Sequence, residues 1–215
     1  MELTLIQKIA IYALPVIFAI TLHEAAHGYV ALKFGDTTAK MLGRITLNPL
    51  KHIDPVGTIL VPGFTLALGG ILFGWAKPVP VNFGHLRHPK QDMFWVAAAG
   101  PAANILMAIF WAAMIKLGHG MSGNPYAAPL MLMGSAGVTI NAVLAALNLL
   151  PIPPLDGGRI AVSLLPYRWA NLLAGIERYG LFIILGLLFT GLLSFLIDPV
   201  IGLVEQISLS LFGLL

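Results

Sequence analysis

The sequence predicts an α-helical polytopic membrane protein, folded as a single membrane-embedded domain over residues 1–215. Three observations predict it. Of its 215 residues, 58% are hydrophobic and only 10% charged, whereas soluble domains carry roughly 25% charged residues. Mean hydropathy is correspondingly high, at +0.89. Apolar runs of about 20 residues, the length that crosses a hydrocarbon core, recur along the chain, and some carry ionisable or amide side chains that lipid tolerates only against a partner or a cavity.

The first run, Leu5 to about Leu32, is apolar except for Gln7, Lys8 and the stretch His23-Glu-Ala-Ala-His27. The N-terminus has an acid before its lysine and no small-residue cleavage site after the apolar run, so it reads as a retained helix rather than a signal peptide. Residues 33 to 55 are polar, and 39–47 has weak strand-like alternation that predicts a short strand or β-hairpin. The run 56–75 is apolar but broken by Gly57, Pro62, Gly63, Gly69, Gly70 and Gly74. An extended Pro-containing piece, 76–82, follows. A clear helix covers Asp92 to about Leu117, with a kink expected at Pro101 and small residues around it that allow close helix contact. The span Leu130 to Leu150 contains Asn141 and Asn148 and ends in Pro151-Ile-Pro-Pro-Leu-Asp-Gly-Gly158. Three prolines there leave backbone unpaired, which at membrane depth requires protein or a wet cavity alongside. Residues 159–178 read as interfacial, 179–197 as a further span broken at Asp198-Pro199, and 201–215 as a short span or interfacial helix.

On a helix, positions i and i+4 share a face. His23 and His27 can therefore offer two imidazoles to one metal ion, and Glu24 beside them is placed to act on water as a general base. With no cysteine in the chain, a metal must be held by His, Asp or Glu. Zinc ordinarily takes a third protein ligand, for which the candidates are Asp156, His52, His85, His88, His119 and Glu177. The histidines lie in polar loops where a solvated ring is the default. Asp156 ends an apolar span on broken backbone, where an unpaired carboxylate is costly, and is the expected third ligand. Asn148 and Asn104 are candidates to hydrogen-bond a substrate carbonyl or oxyanion; the alternative for each is a helix-to-helix hydrogen bond, which is the reading preferred for Asn104.

Convergence of His23, His27 and Asp156 imposes a parity. The C-terminal ends of the first span and of 130–150 must share a face, so 56–75 cannot cross once and is expected to be re-entrant or interfacial. Ten of the twelve basic residues then fall on the active-site side and only Lys8 and Lys116 on the other. The positive-inside bias makes that side cytoplasmic. The small net charge of +3 is better read as this topological signal than as a nucleic-acid footprint.

Three motifs in this order, His23-Glu-Ala-Ala-His27, Gly100-Pro-Ala-Ala-Asn104 and Asn148-Leu-Leu-Pro-Ile-Pro-Pro-Leu-Asp-Gly157, resemble those of the site-2 protease family of intramembrane zinc metalloproteases. The resemblance covers most of the chain and is to the compact subgroup without an inserted PDZ-like or CBS-like domain. It implies one Zn2+ held by His23, His27 and Asp156, Glu24 as general base, and cleavage of transmembrane protein or peptide substrates within the bilayer of, by expectation, the cell membrane. The strand-like 39–47 region is then a candidate edge for an unwound substrate. A transporter or ion-conducting protein using the same buried His, Glu and Asp is the alternative from another class, because broken helices at membrane depth suit it too.

Overall fold

The computed structural model describes residues 4–60, 77–121 and 123–215. Helix α1, Leu5–Lys33, opens on a reciprocal cap: the Thr4 hydroxyl accepts the Gln7 amide at 3.3 Å and the Gln7 side chain accepts the Thr4 amide at 2.9 Å, which satisfies two orphan donors. It ends at Gly35, whose φ of 110° suits a residue without Cβ.

The strand or hairpin expected at 39–47 does not form. The chain is helical over Thr38–Met41, here α2, and then passes through a turn and bends. The cause is Asp36, whose carboxylate accepts both the Thr38 amide, at 3.0 Å, and the Thr38 hydroxyl. Such forward bonding from Asp offers the backbone a turn in place of a ladder, and the weak alternation of 39–47 had little to set against it. The segment 56–75, expected to be re-entrant or interfacial, lies outside the described residues from position 61 onward; its start belongs to a short π-helix, Pro55–Leu60.

Two long helices complete the scaffold: α3, Pro89–Gly120, and α4, Ala127–Asn148. Pro89 at the first helical position starts α3 a little earlier than expected, and Pro101 lies inside it. Glycines on α4 let the two helices approach. A methyl group at Gly134 would lie 3.0 Å from the Trp111 carbonyl oxygen, and one at Gly137 would overlap the Trp111 ring. In lipid, where tails are as apolar as Leu, such small-residue contacts carry helix association.

After the proline-broken segment come α5, Asp156–Leu164; α6, Tyr167–Gly175; a 3-10 turn, Glu177–Tyr179; α7, Gly180–Phe189; and α8, Leu192–Ser210. The expected break at Asp198-Pro199 lies instead at Gly191, whose φ is 74°, and Pro199 is carried inside α8. Gly takes a left-handed φ without steric cost, whereas Pro within an apolar helix is tolerated where neighbours meet the freed backbone groups.

Five helical stretches are long and apolar enough to cross a membrane: Ile6–Lys33, Pro89–Gly120, Ala127–Asn148, Tyr167–Phe189 and Leu192–Ser210. Packing fixes the direction of the last. Val204 and Ile201 of α8 pack with Ile105, Ala108 and Ala142, whereas Leu209 and Phe212 pack with Trp111, Ala112 and Val138. Thus α8 runs parallel to α3 and antiparallel to α4. It begins on the face where α4 ends, so 149–191 leaves and returns on one face.

Candidate metal centre

The site is assembled from α1, α3, α4 and the first residue of α5. One helical turn apart on α1, His23 and His27 point into α3, their rings edge to face with centroids 4.7 Å apart. Gly100 makes room for them: a methyl group there would lie 2.6 Å from His23 Nε2 and closer still to His27 Nε2. Asp156 enters from the opposite end of the proline-broken segment. Its Oδ2 lies 3.2 Å from His23 Nε2 and 3.2 Å from His27 Nε2, and the two Nε2 atoms are 3.1 Å apart.

Proton positions follow from the partners. His27 Nδ1 lies 2.7 Å from the Val96 carbonyl oxygen, which can only accept, so Nδ1 carries the proton. His23 Nδ1 lies 2.6 Å from Asn104 Oδ1. The orientation of that amide is fixed in turn, because its Nδ2 donates to the Ala19 carbonyl at 3.2 Å and to Asn141 Oδ1 at 3.0 Å. Asn141 Nδ2 closes the chain on the Gly137 carbonyl at 2.8 Å. Both imidazoles therefore turn Nε2 lone pairs toward a carboxylate oxygen that is itself buried and has no hydrogen-bond partner among the described residues. Three electron-rich atoms this close repel unless a cation lies among them. They are borderline-soft nitrogen plus oxygen, three in number, with the distal ring nitrogens held by acceptors, a donor set and outer support that would fit a zinc ion. Among the described residues, His23, His27 and Asp156 are the one group whose ligand atoms all fall within 4.8 Å of one another.

Glu24 does not join this trio. Its Oε2 accepts the backbone N–H of Val79 at 2.6 Å. Val79 belongs to the extended segment 77–82, which crosses beside α1 and is pinned at both ends. The Arg44 guanidinium donates to the Lys77 carbonyl at 2.9 Å and to that of Pro78 at 3.2 Å, and the Asn82 amide donates to Asp36 Oδ2 at 2.7 Å. Burial alone would push the Asp36 carboxyl up. The hydroxyl and amide of Thr38, the Asn82 amide and the nearby His85 outweigh burial and hold it below its ordinary range. The Val79 side chain is buried against Gly28, where an added methyl would lie 3.0 Å from it.

The two candidate amides separate. Asn104 has no exposed surface and its amide hydrogens are taken by Ala19 and Asn141, so it orients His23 from within the helix interface. Asn148, half-buried at the end of α4, donates to the Leu144 carbonyl of its own helix at 2.9 Å and makes no described contact with the trio. Of the other metal candidates, His52 is buried with Nε2 on the Thr46 carbonyl. His85 and His88 sit beside Asp36 and Asp92, Glu177 pairs with Arg159, and His119 lies at the far end of α3. Sequence reasoning left the role of Asn141 open and missed the Val96 carbonyl and the Val79 amide. A polar amide in an apolar run signalled the first. Backbone groups leave no residue-type signal.

A family model for peptidase family M50 matches residues 118–190. A protein of Bacillus subtilis (strain 168), named "Putative zinc metalloprotease YwhC", is 40% identical over 200 residues, covering 92% of this chain and 88% of its own. Two mycobacterial proteins named "Putative zinc metalloprotease Rip2" are similar as well. That of Mycolicibacterium smegmatis is 32% identical over 83% of this chain and 66% of its own length. That of Mycobacterium tuberculosis (strain H37Rv) is 34% identical over 65% of this chain and 51% of its own. No solved structure matches the chain significantly.

Proposed function

Because this chain belongs to peptidase family M50, the site-2 protease family, and is therefore a zinc metalloprotease, we propose that it hydrolyses peptide bonds within or near the transmembrane helices of membrane protein substrates. The observation that carries this reading is the meeting of His23 Nε2, His27 Nε2 and Asp156 Oδ2 at 3.1–3.2 Å inside a bundle of membrane-length helices. In this reading the three side chains hold one Zn2+, which when bound supplies a Lewis acid that acidifies water and polarises a carbonyl.

The remaining chemistry falls to the chain itself. Asn104 and the Val96 carbonyl keep both imidazoles in the tautomer that presents Nε2. Glu24, adjacent to His23 and steadied by the Val79 amide, takes a proton from the attacking water and returns it to the leaving amine. The substrate helix must unwind first, since its carbonyls are hydrogen-bonded within the helix. Asn148, with one amide hydrogen engaged on its own helix, is left as the candidate donor to the substrate carbonyl or oxyanion. The bias of basic residues favours a cytoplasmic opening in the cell membrane.

The test is a cleavage assay on a model transmembrane substrate alongside metal analysis. Wild type should hold one zinc per chain, lose cleavage on chelation and regain it on zinc readdition. Glu24→Gln should keep the zinc and lose cleavage by about two to four orders of magnitude, the usual worth of a general acid–base. Full cleavage by Glu24→Gln, or by zinc-free enzyme, would sink the reading, and ion flux without cleavage would support the transporter instead.

A further inference from the structure

Glu205 is an acid in the wrong solvent. It lies on α8, where its Oε1 accepts the Thr139 hydroxyl of α4 at 2.7 Å. At 1.5 Å per residue, Thr139 stands about 18 Å from the start of α4 and about 14 Å from its end, which puts the pair near mid-bilayer. It is also remote from the metal centre in angle. Thr139 lies two residues before Asn141, about 200° around the helix, and Asn141 is the residue that faces Asn104. Glu205 keeps partial exposure and Thr139 is exposed, so both belong to the lipid-facing side of the α4/α8 seam. A carboxyl group there is expensive and marks function by default, and the hydrolytic reaction gives this one nothing to do.

The surface around it is shaped for a helix. Asp198, Gly202, Glu205 and Leu209 follow the spacing i, i+4, i+7, i+11 and share one face of α8. A methyl group added at Gly202 would meet nothing within 4 Å, so the face is open and locally flat, as small residues at membrane helix contacts are. Below Glu205 the seam opens into a groove of about 470 Å³ lined by Met131, Leu132 and Ser135 of α4, Leu209 of α8, and Ile115 and His119 of α3, whose imidazole makes no ion pair with Glu205 among the described residues. Among the described residues neither Asp198 nor Glu205 makes a salt bridge.

We propose that this α4/α8 face docks the transmembrane helix of a partner protein that carries a basic side chain at mid-depth, paired with Glu205. Charge complementarity selects that occupant. A second copy of this chain offers no cation at that depth: Lys8, Lys33, Lys90 and Lys116 lie near the ends of α1 and α3, α4 and α8 contain neither Lys nor Arg, and Arg168 and Arg178 of the Tyr167–Phe189 stretch sit toward the metal-site face, where Tyr167 lies under Lys90 and Gly180 abuts Pro153. A lipid acyl chain would fill the groove but leave the carboxyl unmet, and an anionic headgroup would be repelled by it.

The probe is a synthetic Leu/Ala transmembrane peptide of about 20 residues with a single central Lys, compared with its all-Leu twin. Binding is read by energy transfer to the full-length, zinc-loaded protein in nanodiscs of zwitterionic lipid. The Lys peptide should bind at least about tenfold more tightly than the Leu peptide, Glu205→Gln should erase the difference, and Thr139→Val should shrink it. Zinc content of the variants reports that they are folded; should one fail, the two peptides on the wild-type protein decide alone. Equal binding of the two peptides overturns the proposal, as does a Lys preference that survives Glu205→Gln, or Glu205-dependent association between two copies of the chain.

Discussion

The Nδ1 of His23 and the Oδ1 of Asn104 lie 2.6 Å apart at a position where Asn104 has no exposed surface. This bond settles which ring nitrogen of His23 carries the proton, and it is itself oriented by Asn141. Such outer supports typically carry a ten- to hundredfold share of metal affinity. Asn104→Leu should therefore raise the zinc dissociation constant by about that factor, measured by competition with a calibrated chelator. Asn141→Leu, which removes the acceptor behind Asn104 and the donor to Gly137 but leaves Asn104 on His23, should cost less, and in the double variant the two losses should not add, since the residues share one network. Equal affinity in Asn104→Leu and wild type would refute the relay.

Gly100 tests the same site from the other side. A methyl group there would overlap both imidazoles, and overpacking of this kind typically costs 1–3 kcal/mol, about what displacing the rings would absorb. Gly100→Ala should fold as a helical bundle by circular dichroism yet hold well under one zinc per chain by elemental analysis. Ala99→Gly, one residue away, should leave the stoichiometry unchanged.

How much of this was legible in the sequence depended on the kind of signal. Membrane helices announce themselves by composition, and two imidazoles at i, i+4 in lipid stand out because lipid charges so heavily for them. Asp156 was legible for the same reason, as a carboxylate on broken backbone. The helix at Thr38–Met41 was not, because the deciding contact was the Asp36 side chain bonding two residues ahead, against an alternation too weak to forbid it. The break at Gly191 was hidden behind the louder Asp198-Pro199, which α8 absorbs. The hold of Val79 on Glu24 had no signal in residue type, because the donor is backbone; only the alternating prolines 78 and 80 marked the segment as extended.

Val79 gives a third prediction. Val79→Pro removes the N–H that donates to Glu24 while suiting an already extended, proline-flanked segment. Val79→Ala keeps the donor and trims only the packing against Gly28. Loss of one charge-assisted hydrogen bond is worth about 1.5–3 kcal/mol, so kcat for Val79→Pro should fall by roughly ten- to a hundredfold with zinc content unchanged. Val79→Ala should stay within a few-fold of wild type. Matching losses in the two variants would mean that the side chain, not the amide, holds Glu24.

Asp36 makes the last prediction one of pH. Its carboxyl lies below the ordinary range because Thr38 and Asn82 donate to it and His85 stands beside it. A depressed folded-state pKa contributes stability that is fully present above the unfolded carboxyl value of about 3.9 and is lost as pH falls through the folded value. Asp36 anchors one end of the segment that reaches Glu24, so acidification below about pH 4 should loosen that segment before the helices. Hydrogen-exchange protection factors of the Val79 and Asn82 amides, taken on metal-free protein so that zinc release does not contribute, should drop between pH 6 and pH 3, while that of Ala108 in the α3 core holds. In Asp36→Asn the same amides should start less protected and change little over that interval. A drop of equal size in both proteins would assign the acid sensitivity to some other group.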